Sequence, residues 1–253
     1  MVKGLDVFRD YFKGFEDSYV LIGGVACDLL MEEAGLEFRA TKDLDIVLVA
    51  EAMSTEFVEK FWAFVRKGGY QHQEKSTGDK QFYRFNKPGD DNFPFMLELF
   101  SRKPDVITLV DDAHLTPIPV DEEISSLSAI LLDDDYYQCI QQGKQVNDGV
   151  SILGAEFVLA FKARAWLDMS KRKAAGDQVD SKNIKKHRND VFKLFQLLAP
   201  QQKVDVADSI KTDLAEFFAA MQQEPNLDPK SLGIKSRPLD EVLAALSEIY
   251  GVA

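Results

Sequence analysis

Asp43 and Asp45 stand two residues apart at the mouth of an apolar run, Leu44-Asp45-Ile46-Val47-Leu48-Val49. A strand repeats its side-chain direction every second residue, so the two carboxylates project from one face while Leu44 and Ile46 turn to the other. Two like charges on one face need a cation between them. Oxygen ligands suit Mg²⁺, a hard ion that accepts one or two carboxylates and completes its shell with substrate phosphates and water. A third acid, Glu98, lies in the apolar stretch Phe93-Pro94-Phe95-Met96-Leu97-Glu98-Leu99-Phe100, where a carboxylate between two leucines has no structural reason to be. Upstream, Ser18 to Ile22 reads as a short buried strand that runs into Gly23-Gly24 and then into Val25 to Met31, which has helical spacing. Strand, glycine turn and helix N-terminus together make a phosphate cradle, because bare backbone can approach an anion and the helix's unpaired N–H groups point at it.

The second half adds two groups. From Ala155 to about Met169 the sequence is apolar nearly all round a helix, and Lys162 falls between Val158, Ala165 and Met169 at helical spacing. A lysine there is costly unless an anion meets it. The next helix, Ile184 to Leu198, puts Ile184, Val191, Leu194, Phe195 and Leu198 on one face, with His187 near its middle and Asp190 at its edge. On that apolar face His187 reads as a core histidine.

The ordered set Gly23-Gly24, Asp43-Leu44-Asp45 and Leu97-Glu98-Leu99 resembles the signature of the nucleotidyltransferase superfamily: a glycine turn, an Asp-x-Asp pair on the next strand and a third acid on a later one. The long interval between glycines and acids, and the Arg39-Ala40-Thr41 that precedes the pair, resemble the AbiEii branch, which includes MenT-type toxins of bacterial toxin–antitoxin systems. The segments Ala160 to Ala165 and Lys186 to Leu194 are similar to that branch's Lys- and Asp-containing helices, so the resemblance spans most of residues 18 to 198. It implies that Asp43, Asp45 and Glu98 hold Mg²⁺, that Gly23, Gly24, Arg39, Thr41 and Lys162 hold the triphosphate, and that Asp190 joins the active site. The implied reaction moves a nucleoside monophosphate from an NTP to an acceptor. A tRNA 3′ end is the acceptor in a toxin role, with a cognate antitoxin as partner. A small, aminoglycoside-like acceptor and a non-catalytic nucleotide- or partner-binding module are the alternatives.

Composition sets the frame. The chain has 253 residues, 45% hydrophobic and 28% charged, enough to bury one large or two modest cores. Its net charge of −12 argues against a general nucleic-acid binder, because Lys and Arg on phosphates supply most non-specific affinity. The charge is uneven: from Lys162 to Lys193 ten Lys or Arg face four Asp, a local +6 that leaves −18 for the remainder. Such a run is either a solvated face or a landing site for triphosphate or RNA. Cys27 and Cys139 lie outside any metal-ligand spacing and read as reduced core thiols of a cytoplasmic protein. Charge interrupts the apolar residues at the start of the sequence, unlike a signal peptide, and no run approaches membrane-spanning length.

The elements that must position these groups follow in order. A first amphipathic helix over residues 5–16 precedes the Ser18 strand, and Ser54 or Thr55 caps a helix through Phe57, Phe61, Phe64 and Val65 that stops at Gly68-Gly69. Strands are expected at residues 81–85, 93–100, 106–110, 126–132 and 150–153, the last two bracketing the acidic Asp133 to Tyr137. From Ala155 onward the reading is helical, with further helices through Val206 to Met221 and Leu239 to Ile249. The expected fold is mixed α/β (α+β): a nucleotidyltransferase-type small mixed sheet with flanking helices in residues 1–115, then a mainly α-helical domain in 116–253 that contributes to the cleft.

Overall fold

A computed structural model of the chain describes residues 2–75, 81–101, 116–117, 133–224 and 227–252. The expected strands 106–110 and 126–132 and the division near residue 115 lie outside them. The chain forms two units, Met1–Asp121 with Lys144–Gly154, and Glu122–Gly143 with Ala155–Ala253.

The first unit carries the sheet. Helix α1 (Leu5–Tyr11) precedes β1 (Tyr19–Ile22), α2 (Gly23–Glu33), β2 (Asp43–Leu48) and α3 (Thr55–Gly68). Then come β3 (His72–Lys75), β4 (Gln81–Asn86), β5 (Met96–Ser101), β6 (Thr116–Pro117), β7 (Lys144–Asn147) and β8 (Val150–Leu153). The strands lie in the order β6-β3-β4-β5-β2-β1-β8-β7. The sheet is mixed: β2 runs parallel to β5 and antiparallel to β1, and β4 is antiparallel to β5.

The all-apolar β1 is buried throughout, as its sequence requires of a strand deep in the sheet. Ser54 is the α3 cap, its Oγ accepting from the Phe57 N–H at 3.1 Å, and Gly69 ends the helix at φ 61°. The apolar stripe of α3 meets α1 through rings: Phe12 lies against Phe57, Phe61 and Phe64, and Phe8 against Tyr19 and Phe64. Helix α1 is shorter than its spacing suggests, because the chain turns after Phe12 and Gly14 adopts φ 88°.

The second unit is helical: α4 (Asp134–Gly143), α5 (Ala155–Ala174), α6 (Ser181–Phe195), α7 (Asp208–Gln222) and α8 (Leu239–Tyr250). Helix α5 is buried along most of its length, and Phe217 of α7 packs edge-on to Trp166 and beside Phe192 of α6. Its first helix corrects the sequence reading, which treated Asp133 to Tyr137 as an acidic segment between strands. The Asp133 carboxylate accepts from the N–H groups of Asp135 and Tyr136, so it caps a helix. Tyr136, Tyr137, Cys139 and Ile140 then recur at helical spacing on the buried face.

Candidate functional site

Three neighbouring strands bring the acids together. Asp45 on β2 is in register with Glu98 on β5, and Glu98 with Arg84 on β4. Residues in register share a face, so Arg84, Glu98 and Asp45 form a row across the sheet, with Asp43 one pleat along from Asp45. The intervening Leu44, Leu97, Leu99, Tyr83 and Phe85 point the other way and are fully buried. This alternation fixes the register, because a one-residue slip would turn the whole acidic row into the core.

Arg84 was not anticipated. Its Nε and Nη2 both donate to Glu98 Oε1, at 2.9 and 2.7 Å, so the expectation that Glu98 has no structural reason to be there is corrected. The ion pair is nearly closed to solvent, with side-chain exposures of 17% for Arg84 and 12% for Glu98. A signal for it was present: Arg84 is flanked by Tyr83 and Phe85 much as Glu98 is flanked by Leu97 and Leu99, two charges each forced onto the polar face of a core strand.

The row sets one guanidinium, Arg84, beside two carboxyls, Glu98 and Asp45. Burial first and the adjacent Asp45 charge second raise the Glu98 carboxyl from its ordinary 4.5 to about 8, with the Arg84 charge and hydrogen bonds opposing the rise.

The glycine turn closes over this row. Gly23 has φ 64°, and a Cβ on it would lie 1.9 Å from Asp45 Oδ2. Gly24 is as tight in another direction: its Cβ would lie 2.6 Å from Thr41 Oγ1 and 3.7 Å from Arg39 Nη1. Thus Gly23, Gly24, Arg39, Thr41 and Asp45 are brought together in the first unit. Helix α2 starts at Gly23 with no side-chain cap on its N–H groups and no acid in its first turn. Those are the features of a helix end suited to an anion. Arg39 stacks on the Phe38 ring, with Cζ 5.1 Å from its centroid, and is half-buried, as is Thr41.

Among the described residues no three His, Cys, Asp or Glu side chains are grouped to hold a metal ion together. The donor set nonetheless fits Mg²⁺ as a two-carboxylate site: Asp43 and Asp45 supply oxygen from one face, and this ion does not require a closed protein cage. Glu98 is beside them, but its Oε1 is engaged by Arg84.

In the second unit Lys162 Nζ lies 3.2 Å from Asp190 Oδ2, with side-chain exposures of 6% and 2%. The anion that a buried lysine demands is therefore internal. Asp190, expected at the edge of its helix, is buried because α6 turns it toward α5. His187 is buried too, at 6% exposure. Several cations of the +6 stretch are engaged by acids: Lys171 with Glu216 at 2.8 Å, Arg172 with Asp177 at 3.2 Å, and the largely buried Arg188 with Glu224 at 3.3 Å. Among the described residues no helix is long and apolar enough to cross a membrane.

No protein-family model matches this chain, and no curated protein does. Among solved structures, a Megavirus polyadenylate synthase is similar over 87% of this chain at 12% identity, with a TM-score of 0.40. This chain spans just over a third, 37%, of that chain's length. At that score and identity the likeness bears on neither the activity nor the site residues.

Proposed function

We propose that this chain is a Mg²⁺-dependent nucleotidyltransferase that moves a nucleoside monophosphate from an NTP to an acceptor hydroxyl or phosphate. The observation that carries the reading is the Asp43–Asp45–Glu98 face packed so closely under Gly23 that no Cβ fits beside Asp45. A strand-to-helix turn alone does not need that approach, whereas a phosphate cradle over a carboxylate pair does.

In this reading Asp43 and Asp45 hold the ion, and the bare backbone of Gly23 and Gly24 with the first N–H groups of α2 receives the phosphates. Thr41 and Arg39, set against Gly24, add a hydroxyl donor and a forked cation to the triphosphate. Mg²⁺, when bound, neutralises charge on the phosphates and steadies the leaving pyrophosphate. The acceptor oxygen forms a bond to the α-phosphorus as the bond to the β-phosphate oxygen breaks, pyrophosphate leaves, and a carboxylate of the row takes the acceptor's proton. Such chemistry is mostly positioning and charge neutralisation, which a rigid sheet face supplies. Lys162 and Asp190 enter as a phosphate ligand and an active-site acid, supported by the similarity of their helices to the AbiEii-type pattern.

The same similarity and the +6 stretch support a tRNA 3′ end as acceptor and a toxin role with a cognate antitoxin, in the cytoplasm. Incubation of the protein with each labelled NTP and Mg²⁺, with total tRNA or with aminoglycoside-like small molecules, tests it. Label on RNA is expected. Label on a small molecule moves the acceptor class, and no transfer from any NTP to either acceptor overturns the enzymatic reading.

A further inference from the structure

The chain leaves α2 at Leu36, whose N–H donates to the Met31 carbonyl at 2.8 Å and closes the helix's C-terminal end. Residues 37–42, outside any helix or strand, then return to the opposite end of the same helix before β2 begins. There Thr41 Oγ1 and Arg39 Nη1 both approach Gly24, 2.6 and 3.7 Å from where its Cβ would be. The two residues are two apart, the spacing that points side chains the same way along an extended segment. Phe38 falls out of that phase, yet its ring lies against the guanidinium, with Arg39 Cζ 5.1 Å from the ring centroid. We infer that Phe38 is a positioning residue: its ring face holds the Arg39 guanidinium against the Gly24 turn, ready for a triphosphate. The inference rests on the reading of that turn as a phosphate cradle.

The physical case is one of preorganisation. A long cationic side chain on an irregular segment has many rotamers, and each one given up on binding weakens the complex. A ring under the planar guanidinium removes part of that freedom before the ligand arrives. Stacking occupies the face of the plane, whereas phosphate oxygens take the N–H groups at its edge, so ring and ligand do not compete. A carboxylate in place of the ring would hold the guanidinium as well, but it would take those donors and repel the anion. Both residues are half-buried, a setting in which a cation meeting a ring is worth more than at an open surface.

An aromatic ring beside a phosphate site has a second use, as a platform on which a nucleobase stacks. The two uses differ in what they ask of the ligand. A ring that works through Arg39 matters equally for a nucleotide and for inorganic tripolyphosphate, and ceases to matter once Arg39 is gone. A base platform matters only to a ligand that carries a base.

The experiment measures binding of inorganic tripolyphosphate and of ATP, each with Mg²⁺, to the full chain by calorimetry. The proteins are wild type, F38L, R39Q, the double variant F38L/R39Q and a chain with a trifluorinated phenylalanine at position 38, which nearly keeps the ring's shape while draining its negative face. Mn²⁺ binding without nucleotide, followed by its spin-resonance signal, serves as a control on the start of β2. F38L is expected to bind both ligands more weakly by the same factor, between about twofold and thirtyfold, the range of a cation–π contact from exposed to desolvated. The fluorinated chain weakens both in the same direction, F38L/R39Q binds no more weakly than R39Q alone, and Mn²⁺ affinity in F38L stays at the wild-type value. Loss for ATP with none for tripolyphosphate makes the ring a base platform and overturns the proposal. Additive losses in the double variant, unchanged binding in the fluorinated chain, or a fall in Mn²⁺ affinity in F38L overturn it too. If F38L does not fold, the fluorinated chain decides by itself: weaker tripolyphosphate binding supports positioning, and equal binding overturns it. Failure of the parent reading looks different: wild type binds neither ligand, or R39Q binds both as wild type does.

Discussion

Arg84–Glu98 and Lys162–Asp190 are both near-buried pairs of one base and one acid, yet their surroundings give them opposite characters. Lys162 and Asp190 close on each other between two helices, one cation to one anion 3.2 Å apart. Arg84 and Glu98 lie on a sheet face in register with Asp45, and Asp43 follows one pleat along. The first sets one cation against one anion in a buried place. The second sets two in-register carboxyls beside one guanidinium, and a bound cation would relieve the repulsion between them. A charge pair therefore says little about function until its neighbours are counted: the unbalanced pair marks the candidate site, and the balanced one reads first as architecture.

The largest expected effect is on the unbalanced side. Asp45→Asn, or Asp43→Asn, should abolish nucleotidyl transfer while the fold holds or gains stability, since a like charge leaves the face. Mg²⁺ should raise the melting temperature of wild type, by about 2.7 kcal/mol of stabilisation at a hundred times its dissociation constant. Scanning calorimetry with and without Mg²⁺ checks this. An equal rise in Asp45→Asn would break the comparison, because the surplus charge would then not be what the ion meets.

On the balanced side the expected effect is on stability. Taken from the sequence alone, Lys162→Met costs little, with the lysine expected either near an acid such as Asp190 or facing a cleft where NTP supplies the anion. With Asp190 at 3.2 Å and almost no exposure, the same change strands a buried carboxylate and should cost about 3–5 kcal/mol. Removing both charges in Lys162→Met/Asp190→Leu should restore stability to near wild type or above it. Urea unfolding of the three proteins measures the differences, and a loss below about 1 kcal/mol in the single variant would place the pair in the class of exposed ion pairs. NTP affinity of the double variant then reports whether Lys162 serves the nucleotide as well as the fold.

A smaller effect is expected at the turn. Gly23→Ala forces a side chain into φ 64° and against Asp45 Oδ2. The backbone term is about 1–2 kcal/mol. The displacement of Asp45 should weaken Mn²⁺ binding besides. Retained affinity with lowered stability would show that Gly23 serves only the turn.

Much of this site was legible in the sequence because each part obeys a short-range rule. Alternation put Asp43 and Asp45 on one face, a glycine pair after an apolar strand announced the turn, and Ser54 announced its helix. What was not legible depends on partners distant in sequence. Arg84 meets Glu98 only because β4 and β5 pair in one register, and Asp190 is buried only because α6 packs its face on α5. Strands β3 and β7 were missed for a different reason: His72–Lys75 and Lys144–Asn147 are too polar to show apolar alternation. For β7 a turn signal existed, since Asp148 and Gly149 both adopt positive φ between paired Asn147 and Val150, as a two-residue hairpin demands. The helix at Asp134 was hidden by its acids, which suggest a loop until Asp133 is seen to cap it.

The subtlest expected effect is of pH on the cation-free protein. Glu98 is raised from its ordinary 4.5 to about 8, first by burial and then by Asp45, with Arg84 opposing. Its native state therefore holds a proton that the unfolded chain releases near 4.5, and between about pH 4.5 and 8 the folded form binds more protons. The stability contributed by this group is fully present below the unfolded value and is lost as pH rises toward the folded one. Other carboxylates titrate as well, so the difference between wild type and Glu98→Gln isolates the term, the amide having no proton to lose. Denaturant unfolding of both proteins in chelator should show wild type losing stability relative to Glu98→Gln from pH 5 to pH 8.5. Saturating Mg²⁺ should shrink that loss, because an ion on Asp43 and Asp45 offsets the charge that holds the proton on Glu98. A difference that stays constant with pH would mean that Arg84 alone satisfies Glu98, and the two ion pairs would then be alike after all.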